Sequence, residues 1–382
     1  MMLHGGLMAF VNTLGEDVLT RRMRYREEDI RGPYFRDITA IIHSYPFRRL
    51  KHKTQVFFAP KNDHICTRIE HVMHVASIAA TICRALDLDA DLAWAIGLGH
   101  DLGHTPFGHL GEEILSDLSS NSGGFYHEIY SLRVIDSLTN YGRGLNLTYA
   151  VRDGIINHCG EQFEQSILPD FHEKDLSAIQ RRDQYPASWE GCVVRVSDKI
   201  AYLGRDLEDA SHLGLVDPES VPAEVVKVLG KNNSEIINTL VLDVIENSQK
   251  IGVIGFSDRV FGPLISLRDF NYASIYKNPR LFTYHRNFER ILKTLYSYLS
   301  ELFAVCGEDP SKYREEKNFV AARFGDYLKK MRDFYVNCDG GYGKAVLDYI
   351  AGMTDDYAID CVSEIMIPRL FESQFEGFLY EE

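Results

Sequence analysis

Seven of the fourteen histidines, at positions 64, 71, 74, 100, 104, 109 and 127, fall within one stretch of the chain. Imidazole is the commonest neutral metal ligand and the usual proton carrier near neutral pH. A segment this rich in histidine therefore points to a metal or acid–base centre. The strongest pair is His100-Asp101, inside GlyLeuGlyHisAspLeuGlyHisThrProPheGlyHis. Neighbours on a helix diverge by about 100°, so both reach one ion only if it lies beside the helix between them. His71 one helix earlier and Asp198 on a later helix complete a set of two imidazoles and two carboxylates. Such a mixed nitrogen and oxygen set suits Mn, Fe, Co, Mg or Zn and leaves positions for water and a phosphate oxygen. His74 shares a face with His71, and spacing alone does not choose between them.

The elements that must hold these groups are helical. Ile69, Val72, Met73, Ala76, Ala79, Ala80 and Cys83 recur at helical spacing from Arg68 to Leu86, with Thr67 as N-cap. A second helix after Asp89 carries Leu92, Ala93, Ala95, Ile96 and Leu98 towards His100. Gly97 and Gly99 each cost roughly 1 kcal/mol there relative to Ala, which signals a close approach by another backbone or a ligand. Pro106 and its flanking glycines stop the helix. In 189–210, Asp198, Tyr202 and Asp206 form one stripe with Arg195, while Val194, Ile200, Ala201, Leu203 and Leu207 can face a core. Alone, that stripe also reads as a solvent face laced with ion pairs.

Further helices are expected over 127–139, 147–158, 220–248, 285–305, 315–336 and 343–352. Short strands are expected at 54–58 and 251–256, and loops near 161–188 and 256–282. The class is all-α, with an N-terminal basic segment (1–39), a core (40–215) and a helical C-terminal region packed on it (216–382).

Across 382 residues, 45% hydrophobic and 25% charged, the composition is that of a globular protein with a substantial core. No apolar run reaches the roughly 18–20 residues of a membrane span, and no basic segment precedes the N-terminal apolar patch, so neither membrane nor secretion is expected. Seven scattered cysteines without a CxxC pair indicate packing thiols in a reducing cytoplasm. The net charge of −14 opposes general binding to nucleic acid. Between Arg21 and Lys53, however, ten basic residues face four acidic ones, which suits a polyanionic ligand or a subunit contact. GlyGlyTyrGlyLys at 340–344 is too short for a phosphate loop and reads as a turn.

Four separated motifs then align in order: PheArgArgLeuLysHisLysThrGlnValPhe at 47–57, ThrArgIleGluHis at 67–71, HisAspLeuGlyHisThrProPheGlyHis at 100–109, and SerAspLysIleAlaTyr with ArgAspLeuGluAspAla at 197–210. Together they resemble the HD-domain superfamily, specifically its deoxyguanosinetriphosphate triphosphohydrolase-like branch. The resemblance implies a helical HD core that splits a dNTP into deoxynucleoside and inorganic triphosphate. It implies a divalent cofactor (Mn, Mg, Fe or Co, with Zn or Ni able to replace it) on His71, His100, Asp101 and Asp198. His109 and His127 match catalytic histidines, Glu112 an acidic partner, and His104 joins them. His127 stands in PheTyrHisGlu where the family shows PheGluHisAsn. Arg68 and Lys199 match phosphate contacts, Tyr202 and Asp206 sugar contacts, and Gln55 a position near sugar and base. Tyr276 opens TyrLysAsnProArg at 276–280, the one later segment resembling the family, and joins the substrate contacts. A homo-oligomer built on dimers, up to a hexamer, and a dNTP or single-stranded DNA effector are further implications.

Overall fold

The computed structural model describes residues 9–58, 62–120, 123–160, 163–338 and 340–367. The acidic end at Glu381 and Glu382 lies outside them. The chain is all-α: among the described residues one small sheet occurs, Ser166–Ile167 antiparallel to Ile254–Gly255. No described helix is long and apolar enough to cross a membrane.

Beyond the exposed Asp91 of its first turn, the helix Ala90–Gly99 is apolar on every side, as a helix surrounded by others must be. The helices Gly32–Ile42, Arg68–Ala85, Tyr149–Ile156 and Trp189–His212 pack around it. Asp89 caps its start, accepting from the backbone N–H groups of Asp91 and Leu92 at 2.9 and 3.0 Å. Gly97 meets the expectation of close approach: a Cβ there would stand 2.6 Å from the Cα of Ala76. The central helix thus runs backbone against backbone with Arg68–Ala85 and delivers His100-Asp101 at its C-terminal end. Thr67 is the N-cap of Arg68–Ala85, and the Glu70 carboxylate accepts from its N–H and hydroxyl at 2.8 and 3.0 Å.

Three expectations need correction. Residues 54–58 form no strand; Thr54 makes one isolated bridge to Thr67, and its N–H donates to Asp355 at 2.8 Å. The segment has no partner strand and serves as cavity wall. The 220–248 span is two helices, Ala223–Val228 and Asn233–Ile251, broken at Gly230, whose φ of 124° no helix accommodates. Within 256–282, Asp258–Asn271 is a helix despite Pro263, and Tyr272–Tyr276 continues it as a π turn. Val260, Leu264, Leu267 and Asn271 are buried at helical spacing, so tertiary burial outweighs the breaker signal of Gly262-Pro263.

The C-terminal helices brace the site loops. Phe282–Cys306 packs on Gly108–Leu118, on Ala345–Ala351 and on Asp355–Met366. Asp355 accepts from Thr54 N–H and, at 2.9 Å, from Phe107 N–H. Buried Lys53 donates to the carbonyls of His104 and Ala351. Phe107 holds φ at 64°, uncommon for a bulky residue, and its ring stacks on Phe288 with centroids 4.1 Å apart. That clamp sets the direction from which the Gly108–Leu118 helix, with His109 and Glu112, begins.

Candidate metal centre and catalytic cavity

His71, His100 and Asp198 present one donor atom each within a common 4.8 Å, and so do His100, Asp101 and His158. His71 Nε2 lies 3.0 Å from Asp198 Oδ1, and His100 Nε2 is 3.9 Å from that oxygen and 3.6 Å from Asp101 Oδ1. His100 Nδ1 donates to Gly97 O at 2.7 Å, which fixes the tautomer and leaves Nε2 as a bare acceptor. That Nε2 is buried without a partner. An orphaned imidazole nitrogen beside two carboxylates fits a divalent cation, because an unpaired buried polar atom is otherwise costly. His74 belongs to no such cluster among the described residues. Burial opposes charge on Asp101 and Asp198, yet the surrounding imidazoles, with Arg68 at Asp101, hold both carboxyls below the ordinary range.

His104, His109, His127 and Glu112 form a second cluster. Glu112 Oε2 accepts from His127 Nδ1 at 2.9 Å and from His109 Nδ1 at 3.2 Å, and Glu112 Oε1 accepts from His127 N–H at 3.1 Å. Arg182 donates to the same carboxylate. Burial would raise the Glu112 pKa, but His127 and His109 overcome it and keep the group ionised. Burial opposes a charged His127, while Cys159 and Glu112 beside it raise its pKa above the usual value. His109 is 68% exposed, a solvent-facing imidazole on the cavity lining tied at one nitrogen. His104 is buried, stacks on His127 at 4.1 Å, and has both ring nitrogens unpaired; burial and Arg68 keep it neutral.

One cavity of about 1210 Å³ joins residues of these clusters to those expected from the sequence to contact substrate. Arg68 is fully buried and pairs with Asp101 Oδ2 at 2.5 Å. Lys199 pairs with Glu164 at 2.6 Å and lies over the Phe163 ring. The Tyr276 hydroxyl donates to Asp206 at 2.5 Å; burial, more than that bond offsets, pushes the Asp206 pKa up to about 7. Gln55 is buried with its Oε1 unpaired. Tyr202 completes the stripe, which therefore lines a cavity and is not the solvent face that spacing also allowed. Arg195 leaves the stripe and turns into the protein, donating to Cys159 O at 2.7 Å and pairing with Glu164.

The sequence reading missed His158 and Cys159. His158 is 2% exposed, with Nδ1 on Ile155 O at 2.7 Å and Nε2 3.2 Å from His127 Nε2. It lies outside the histidine-rich stretch, and its one available signal was an imidazole at the end of a predicted apolar helix. Cys159 is half-buried beside both imidazoles, so it is not the plain packing thiol expected. The basic segment is partly consumed internally: Arg22 pairs with buried Asp37 at 2.5 Å, and Lys53 is a brace.

The HD domain model matches residues 68–203, and the phosphohydrolase-associated domain model matches 254–364. The chain is 40% identical to the deoxyguanosinetriphosphate triphosphohydrolase-like protein of Caldanaerobacter subterraneus subsp. tengcongensis, over 91% of this chain and 89% of that one. It is 37% identical to the protein of the same name from Clostridium tetani, over 94% and 92%. A third, from Desulfatibacillum aliphaticivorans, is 38% identical over 89% of each chain. With a cation-ready His/Asp centre and relatives along nearly its whole length, the chain belongs to the deoxyguanosinetriphosphate triphosphohydrolase-like family of metal-dependent HD-domain phosphohydrolases.

Proposed function

We propose that this protein hydrolyses deoxynucleoside triphosphates to deoxynucleoside and inorganic triphosphate. The observation that carries the reading is one cavity lined by His71, Asp101 and Asp198, by His109 and His127, which share the Glu112 carboxylate, and by Tyr202 and Asp206. Its volume accommodates a nucleoside triphosphate, given that small-molecule pockets span roughly 300–1,000 Å³.

A divalent ion on the four ligands supplies Lewis-acid polarisation of a phosphoryl oxygen and a better water nucleophile, with manganese as our first choice. The chain's own groups do the rest. Arg68, Lys199 and Arg268 neutralise the triphosphate, each lining the cavity. His127, aimed by Glu112, exchanges a proton at Nε2, and His109 at the cavity mouth serves the second transfer. His104 stacks beneath His127 and fixes its plane. Attack on the α-phosphorus opposite the 5′-oxygen breaks the P–O5′ bond, the 5′-oxygen takes a proton, and triphosphate is released. Asp206, held by Tyr276, accepts the 3′-hydroxyl hydrogen bond, with Tyr202 against the sugar and Gln55 Oε1 left for sugar or base. Assembly into dimers or a hexamer and activation by a dNTP or single-stranded DNA belong to the same reading.

Incubation with Mn²⁺ and each dNTP, alone and mixed, followed by anion-exchange separation, tests it. Deoxynucleoside plus triphosphate is expected. Monophosphate plus pyrophosphate would move the reaction to another HD phosphohydrolase chemistry, and no turnover in any mixture would leave a nucleotide-binding protein.

A further inference from the structure

One cluster in the cavity wall contains two groups, His158 and Cys159, that the chemistry above does not use. Cys159 Sγ lies 3.4 Å from His127 Nε2 and 3.2 Å from His158 Nε2, and the two nitrogens are 3.2 Å apart. Both rings have Nδ1 committed as a donor, His127 to the Glu112 carboxylate at 2.9 Å and His158 to the Ile155 carbonyl at 2.7 Å. Each therefore turns its Nε2 inward. Together the two nitrogens and the sulfur put three donor atoms of metal-ligating type on one face, all within 4.8 Å of one another.

The triangle has the dimensions of a coordination face. A tetrahedral zinc ion with Zn–N of about 2.0–2.1 Å and Zn–S of about 2.3 Å sets N–N edges at roughly 3.3 Å and N–S edges at roughly 3.6 Å. The observed edges lie within a few tenths of an ångström of these. The frame is also held from behind. Arg195 donates to the carbonyls of Asn157 and Cys159 at 3.2 and 2.7 Å, pinning the backbone that presents His158 and Cys159. Carboxylate and carbonyl acceptors on the second imidazole nitrogen are the usual support for metal-ligating histidines. His127, His158 and Cys159 all line the cavity, so an ion can enter.

We propose that His127, His158 and Cys159 form a second cation site, of the zinc class, next to the His71/His100/Asp101/Asp198 site. Binding forms one M–S and two M–N bonds, and the protons displaced from Cys159 Sγ and His127 Nε2 leave to solvent. A thiolate selects soft and borderline ions and is a poor ligand for Mg²⁺ or Mn²⁺, so the two sites sort their ions by ligand chemistry. The fourth position opens to the cavity on the side of Asp101, whose Oδ1 is 3.8 Å from His127 Nε2. Occupation engages the nitrogen that the proposed hydrolysis uses for proton transfer, so zinc inhibits turnover; that consequence rests on the hydrolase reading, whereas the site itself does not.

The test is a Co²⁺ titration of the full chain after chelator treatment, followed in the near ultraviolet for thiolate-to-cobalt charge transfer. The band should grow as a second cobalt ion enters, persist in Asp198→Ala, and be bleached by added Zn²⁺. It should vanish in both Cys159→Ala and Cys159→Ser, which retain one cobalt and a native circular-dichroism spectrum. No band in the unaltered protein, a band that survives in a folded Cys159 variant, or a band that Zn²⁺ does not bleach would overturn the site. Because the band reports sulfur ligation and not turnover, its outcome is separable from the dNTP assay.

Discussion

Asp101 and Asp348 are both buried carboxylates flanked by an arginine, and their remaining neighbours differ. Asp348 accepts from the Tyr130 hydroxyl at 2.6 Å, the Tyr335 hydroxyl at 2.9 Å, and two guanidinium nitrogens of Arg133 at 2.9 and 2.6 Å. Its acceptor capacity is filled by protein donors. Asp101 gives one oxygen to Arg68 and turns the other to His100, His104 and His127, whose Nε2 atoms stand 3.6 to 3.8 Å away, too far for hydrogen bonds. His100 and His104 are left with unpaired Nε2 atoms. A saturated carboxylate fastens helices together, whereas an unsaturated cluster in a cavity is a receptor whose cost is offset when a cation arrives.

Substitutions in the two regions should therefore fail differently. The largest effect is expected for Asp198→Ala, which should lose the bound divalent ion and reduce turnover to background; unchanged metal content would remove Asp198 from the ligand set. His127→Ala should lower kcat about 10²–10⁴-fold, the usual worth of a positioned acid–base group, while metal content at the first site persists. Asp348→Ala should instead cost about 3–5 kcal/mol of stability by stranding Arg133, with kcat per folded molecule retained. Denaturant melts with active-site titration check this, and a kcat loss without a stability loss would break the contrast.

Smaller effects sharpen it. Gly97→Ala forces the central helix off Arg68–Ala85 and should cost about 1–3 kcal/mol, measured as a shift in the urea midpoint. The remaining effect is a pH dependence at Asp206, whose folded pKa of about 7 lies above its ordinary 3.8. Its protonated form is the one the fold favours, so the stability it contributes is complete below pH 3.8 and lost as pH rises through 7. Metal-free Asp206→Asn should gain stability relative to the parent across that window, and a difference independent of pH would contradict the raised pKa.

The helices that bear His71, His100 and Asp198 were legible because their apolar periodicity and caps are local: Thr67, Asp89 and the residues three and four apart decide them. The choice of His71 over His74 was not local, since it depends on where the Trp189–His212 helix places Asp198. The helix Asp258–Asn271 was obscured by Gly262-Pro263, whose local cost is overcome by burial that no window of sequence contains. His158 and Cys159 were likewise invisible, because their meaning arises from His127, 31 and 32 residues earlier.

The amino-acid sequence by itself determined the all-α class, the central helix with its glycines, and the motif residues from which a metal-dependent hydrolase follows. The tertiary structure decided which nitrogens are free. Hydrogen bonds donated to Gly97 O, Ile155 O and Glu112 commit one nitrogen of each imidazole, and the Asp355 and Lys53 braces set the loops that carry them. Residue type sets what an atom can bind; what it has left to bind depends on the neighbours that packing supplies.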